Sequence, residues 1–301
     1  MPRSTLADIL SPSTLARIDN YLLMARVVVE GFIAGMHRSV YHGFGSEFLQ
    51  YRNYTPGDDL KYVDWKVFAR SNRFYTKVFQ EETNMNCTLV VDASASMGYR
   101  GEDAACSKFH YGAMIAASLA YLASCQGDSV GLHIYGDELA TSILPRNRGG
   151  HLHRICTSLA AVKTGGAAAH ERFLPYITET LQRRGLVVFI SDFMDADETL
   201  PPLLKRVRCT GSDCIVFQVL DPDEKSLPFN GTIRFFDSES GETIVTAPEN
   251  VRTVYQQDMA GFLGRVRRGC HGIQADYLLT DSGESLGHVL AAYLHRRGGV
   301  Y

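Results

Sequence analysis

Two uncharged apolar runs stand out along the chain, Thr88-Leu89-Val90-Val91 and Leu186-Val187-Val188-Phe189-Ile190. They are continuous rather than alternating, which predicts strands buried on both faces of a sheet. The first closes on Asp92 and the second on Ser191-Asp192. Between and after them, helical and strand patterns alternate. A largely apolar helix is predicted from about Lys108 to Ser124 and a strand from Ser129 to Tyr135, with a second strand over Leu139–Leu144. Helices follow near 150–162 and 171–184. A helix over Leu200–Arg208, a strand over Cys214–Leu220, a strand over Gln274–Leu279 and a terminal helix over Ser285–Arg297 complete the series. Such alternation implies right-handed βαβ units and an α/β, doubly wound, mostly parallel sheet. From Asp221 the pattern shifts: Thr232–Phe236 and Glu242–Thr246 flank Asp237-Ser238-Glu239-Ser240-Gly241, a hairpin with a longer turn, and residues 250 to 269 read as helix.

The amino-terminal part is different. Residues 1 to about 38 predict helix, with Ser4 and Ser13 as N-caps and Pro12 in a first turn. Residues 41 to 86 mix turn chemistry at Pro56-Gly57-Asp58 with one alternating strand over Phe74–Phe79. Trp65 is expected to be buried with its N–H satisfied. The acids Asp58, Asp59 and Asp64 alternate with Arg52, Lys61 and Arg70, as in a solvated face of local ion pairs.

Composition narrows the function classes. A chain of 301 residues with 45% hydrophobic and 21% charged content is ordinary for a globular protein. A net charge of −3 gives no electrostatic footprint for nucleic acid. No apolar run reaches the length of a transmembrane segment, and the first ten residues lack the pattern of a secretory signal. Seven cysteines without a Cys-x-x-Cys pair point to reduced thiols and a cytoplasmic setting.

The candidate chemistry lies where the first apolar run ends. Asp92, Ser94 and Ser96 put one carboxylate and two hydroxyls at alternate positions, where open α/β sheets bind ligands. Oxygen-only donors suit Mg²⁺, which keeps several waters. The plainer reading is a Ser-rich turn whose hydroxyls bond to local backbone. If the two strands are neighbours, Asp192 converges on the same crevice, and the loop Lys163-Thr164-Gly165-Gly166-Ala167 faces it. Other chemistries lack their residues. There is no Gly-x-Ser-x-Gly elbow for a serine nucleophile and no Walker loop for ATP. His151 and His153 share no helical face and have no third ligand. Asp192 with Asp195 keeps a metal-dependent phosphoryl transfer open.

Asp-x-Ser-x-Ser, a Thr-bearing Gly-Gly loop and a later strand-end Asp resemble the metal-ion-dependent adhesion site (MIDAS) of von Willebrand factor A domains. The wider pattern resembles the family catalogued as domain of unknown function 58. It is carried by Gly45-Ser46-Glu47-Phe48, Arg52-x-Tyr54-x-Pro56-Gly57-Asp58-Asp59, Val63-Asp64-Trp65 and Ala69-Arg70. Asp237-x-Glu239-x-Gly241-Glu242, Thr280-Asp281 and Tyr293-Leu294-x-x-Arg297 extend it through the carboxyl-terminal half. The resemblance implies a von Willebrand A-like fold and association with a MoxR-type AAA+ ATPase. It further implies metal-site roles for Asp92, Ser94, Ser96 and Asp192. Ala167 stands where a ligating Thr is expected; Thr164, on a different loop path, or a water would take that place, and the affinity should fall.

The expectation is therefore a non-enzymatic protein-binding or adaptor protein that presents Mg²⁺ to an acidic protein ligand. Residues 1–85 would form a helical and β-rich extension carrying the family signature. Residues 86–301 would form the von Willebrand A-like domain, with a hairpin insertion near 231–247. A metal-dependent phosphotransferase or hydrolase, and a metal-free scaffold, are the alternatives.

Overall fold

A computed structural model describes residues 10–36, 50–53, 63, 65–71, 73–78, 85–181, 184–194, 196 and 198–298. Two short strands, β1 (Gln50–Asn53) and β2 (Tyr75–Val78), pair antiparallel apart from the main sheet. That sheet has six strands: β3 (Asn86–Asp92), β4 (Ser129–Tyr135), β5 (Leu139–Arg146), β6 (Gly185–Ser191), β7 (Asp213–Leu220) and β10 (Asp276–Asp281). Their order is β10-β7-β6-β3-β4-β5, and all neighbours run parallel except the edge strand β5. The hairpin of β8 (Ile233–Phe236) and β9 (Thr243–Thr246) forms a separate antiparallel pair.

The apolar runs are continuous because each strand serves two cores. Leu89, Val91, Leu186, Val188 and Ile190 face one cluster, whereas Val90, Val187 and Phe189 face the other. Strand pleating sends successive side chains to opposite faces, so both parities must be apolar when both faces are covered. The first face is covered by α4 (Lys108–Cys125), a helix capped by Ser107, whose side chain accepts from His110 N. α2 (Tyr21–Met36) packs against α4, and its Met24, Ala25, Val28 and Val29 are buried in the same core. α5 (His151–Ala161) and α10 (Leu286–Gly298) add to that layer. The second face is covered by α6 (His170–Glu179), α7 (Leu200–Cys209) and α9 (Pro248–Gly272).

Two local expectations are corrected. The amino-terminal helix is not continuous. A four-residue α1 (Pro12–Leu15) has Ser11, not Ser13, at its N-cap, and Asn20 Oδ1 accepts from Leu22 N and Leu23 N to start α2 afresh. An Asn able to satisfy the first free N–H groups makes a new helix start cheaper than an uninterrupted run. Trp65, at the start of α3 (Trp65–Ser71), is 56% exposed rather than buried. Its ring meets Phe68 and Phe74 edge-on at 6.3 and 6.4 Å, a small aromatic group outside the two cores. Ser4 and the segment Pro56-Gly57-Asp58 lie outside the described residues.

What the topology decides for function is the position of β3. Its successor β4 lies on one side and β6 on the other. In open α/β sheets such a reversal of strand order marks the ligand-binding end, here the carboxyl ends of β3 and β6.

Candidate functional site

The register pairs Val91 with Ile190, which brings Asp92 level with Ser191 and places Asp192 just beyond. Asp92 is fully buried. Its Oδ1 accepts from Ser94 N at 2.8 Å, and its Oδ2 accepts from Ser191 Oγ at 2.6 Å. The first bond is an Asx turn, which bends the chain out of β3 and carries Ser94 and Ser96 over the strand end. The two serine hydroxyl oxygens are 3.1 Å apart. Asp192 lies close enough to Ser96 for the hydroxyl to help lower its carboxyl pKa.

The loop after α5 is laced onto this turn. Gly165 N donates to Ala93 O at 3.0 Å, and Ala95 N donates to Gly166 O at 2.8 Å. Thr164 is thereby pressed against the short helical turn Ser96–Gly98. A Cβ built on Gly98 would stand 2.6 Å from Thr164 Oγ1, so only glycine leaves room for that hydroxyl. Ala167 has no oxygen to contribute, but the N–H of the next residue, Ala168, donates to Glu239 Oε2 in the β8–β9 turn at 3.2 Å.

Asp192 is held from the other side. Lys108 Nζ, at the first turn of α4, lies 2.7 Å from Asp192 Oδ2 and 2.5 Å from Glu224 Oε1. Glu224 belongs to α8 (Pro222–Ser226), where its Oε2 closes a capping box on Asp221 N. Asp192 Oδ1 accepts from Met194 N. Phe193 adopts φ +52, a left-handed conformation costly for a bulky residue. The strain is offset by complete burial of its ring, which stacks on His170 at 5.8 Å, and by the bond from Phe193 N to Ser191 Oγ.

A third buried group, His170, lies behind Asp92. Its Nδ1 is 2.8 Å from Tyr135 OH, and its Nε2 is 3.9 Å from Asp92 Oδ2 without a hydrogen bond to a described residue. Burial pushes the Asp92 carboxyl up. His170, Ser191 and the Ser94 N–H pull it back, nearby Asp192 pushes with the burial, and the balance is a raised value. Burial pushes Asp192 the same way, but the Lys108 ammonium outweighs it and leaves this carboxyl below the ordinary range. Burial works against the charge of Lys108, yet its two carboxylate partners raise its value above that of a free lysine.

Four of the residues singled out in the sequence, Asp92, Ser94, Ser96 and Asp192, thus share one crevice, and Thr164 packs on the same turn. Asp195 lies outside the described residues. Elsewhere, His153 is exposed and His151 Nε2 bonds to Val130 O, so the two histidines have separate surroundings. The residues that sequence reasoning missed are Lys108, Ser191, His170, Tyr135 and Glu224. Only Lys108 carried a signal: it opens an amphipathically featureless, apolar helix in which a lysine has no solvent face to occupy.

The donors available here are neutral hydroxyls backed by carboxylates. Adjacent ligands of an octahedral Mg²⁺ at about 2.1 Å lie roughly 3.0 Å apart, close to the Ser94–Ser96 separation of 3.1 Å. The two oxygens, hydrogen-bonded to each other here, have the spacing that adjacent ligands of such an ion require. Among the described residues, no group of three His, Cys, Asp or Glu side chains offers an alternative metal cluster, and no helix is long and apolar enough to cross a membrane.

Comparison with known proteins agrees with this architecture. The family described as "Protein of unknown function DUF58" matches residues 50–261. An uncharacterized protein of Mycobacterium tuberculosis, Rv1480, is 28% identical over 243 residues, covering 80% of this chain and 75% of its own length. Mb1516 of Mycobacterium bovis matches equally. Among solved structures, the conserved hypothetical protein BatB from Bacteroides thetaiotaomicron is similar with a TM-score of 0.50 at 15% identity. The match covers 71% of this chain and 99% of that one. The SpRpn10 VWA domain aligns with 69% of this chain and 94% of its own, at a TM-score of 0.41 and 10% identity. The fold shared with BatB is α/β, a mostly parallel central sheet flanked by helices.

Proposed function

The chain belongs to the DUF58 family, and from that premise we propose that it is a protein-binding adaptor whose docking point is the crevice at the ends of β3 and β6. Ser94 and Ser96 would hold Mg²⁺ directly, with Thr164 as the third hydroxyl. Asp92 and Asp192 would stand behind them, accepting hydrogen bonds from waters and orienting the serines. A bound ion supplies positive charge and an open position for an acidic side chain of the partner. The partner proposed is a MoxR-type AAA+ ATPase, the associate implied by the family likeness.

The observation that carries this reading is the 3.1 Å pair of serine hydroxyls set beside two buried strand-end carboxylates. Against a serine–histidine nucleophile pair, neither serine bonds to a histidine among the described residues. The one nearby histidine points its Nε2 at Asp92 rather than at a hydroxyl, whereas a nucleophile must lie within hydrogen-bond reach of its base. The test uses the purified chain and a purified MoxR-type ATPase from the same source. Binding is measured in Mg²⁺ and in EDTA, for the wild type and for Ser94→Ala. Binding that disappears with chelator and with the substitution supports the reading. Binding that is equal in all four arms removes the metal from the mechanism, and no binding in any arm removes this partner.

A further inference from the structure

Lys108 is a fully buried cation in a helix that otherwise buries mostly apolar and small side chains. An ammonium at such a place is costly unless paired, and Asp192 and Glu224 pair it twice. Hydrophobic packing would have filled the position at less cost, which makes its location informative. The ammonium bonds to Asp192 at 2.7 Å, and Asp192 directly follows Ser191, whose hydroxyl bonds to Asp92 beneath the Ser94–Ser96 turn.

We infer that Lys108 is a built-in counter-cation of this site, a positioning residue that takes up the charge of Asp192 and so holds down the crevice's affinity for divalent ions. The inference rests on the proposed metal site and adds the element that tunes it. Asp92 and Asp192 stand at the strand ends, with Glu224 on the far side of Lys108, but little of their charge is on offer. Asp192 is neutralised by Lys108, Glu224 shares the same ammonium, and both oxygens of Asp92 already accept hydrogen bonds, from Ser94 N and Ser191 Oγ. The ligands left to an incoming ion are neutral hydroxyls, which bind Mg²⁺ weakly compared with carboxylates. Glu224 is the far arm of the arrangement. Its capping box on α8 fixes the ammonium between two carboxylates, so the tuning depends on the segment that follows β7.

The test is a Mn²⁺ titration followed by paramagnetic resonance and calorimetry, on the wild type, Lys108→Met/Glu224→Gln, and that double variant with Ser94→Ala added. The double variant is expected to bind Mn²⁺ at least about tenfold more tightly than the wild type, the scale on which groups behind a metal's ligands act. Adding Ser94→Ala should abolish the gain. Equal affinities in the wild type and double variant, lost from the latter when Ser94→Ala is added, overturn the role of Lys108 while leaving the hydroxyl site standing. No Mn²⁺ bound by either at millimolar concentration overturns both. A gain that survives Ser94→Ala places the ion elsewhere and also overturns the inference. Should the double variant fail to fold, Glu224→Gln alone leaves the ammonium wholly on Asp192 and should weaken Mn²⁺ binding several-fold; unchanged binding overturns the proposal.

Discussion

Replacing Lys108 by methionine tests the electrostatic core of the molecule directly. The side chain has no solvent exposure, and its Nζ is within 2.7 Å of Asp192 and 2.5 Å of Glu224. Methionine matches its length but leaves Asp192, itself 1% exposed, without its cation. Removing one partner of a buried ion pair costs about 3–5 kcal/mol, mainly because the remaining charge stays desolvated. For 301 residues, the unfolding entropy is roughly 0.6 kcal/mol per degree, so the melting temperature should fall by about 5–8 °C. Differential scanning calorimetry and urea titration at neutral pH measure both quantities. Adding Asp192→Asn and Glu224→Gln to Lys108→Met removes the stranded charges and should recover a good part of the loss. A single variant within about 1 kcal/mol of the wild type would refute the reasoning, because the ammonium would then be no more valuable than a surface ion pair.

Three further outcomes are expected. Gly112→Ala puts a Cβ 2.9 Å from Ile190 Cγ2 where α4 crosses β6, and overpacking of this kind should cost about 1–3 kcal/mol in urea titration. Tyr135→Phe removes the hydroxyl 2.8 Å from His170 Nδ1; a buried ring nitrogen left without its partner should cost about 1–3 kcal/mol by the same measurement. Burial pushes His133 down to about 4 from its ordinary 6.5, so its resonance in NMR should not titrate between pH 5 and 8. The sign follows from linkage. The unfolded chain binds this proton before the folded one does, so the stability contribution is present above 6.5 and is lost as pH falls toward 4.

Much of the architecture was legible in the sequence because it is encoded locally. The run Thr88–Val91 and the run Leu186–Ile190 read as strands buried on both faces because they are short, rich in β-branched residues and bounded by polar turns, where a buried helix would run longer. The β4 strand, the α4 helix and the β8–β9 hairpin are likewise written in period and turn chemistry. So are Asp92, Ser94 and Ser96, because an Asx turn at a strand end needs only neighbours in the chain. The break between α1 and α2 was misread because Asn20 competes with an otherwise helical pattern, and Trp65 was misplaced because its aromatic partners lie outside both cores.

The tertiary structure alone decided who meets whom. That β6 rather than β7 lies beside β3 makes Asp192 a neighbour of Ser96, and strand order is a property of the whole chain. The loop path that presses Thr164 onto Gly98, the bond from Ser191 to Asp92, and the union of Lys108 with a carboxylate 116 positions later all depend on that order. Sequence determines where a side chain can be apolar, bent or capped, because those energies are paid within a turn or two. Charges act through space, so the partner that makes a buried lysine tolerable is fixed only when distant segments have packed.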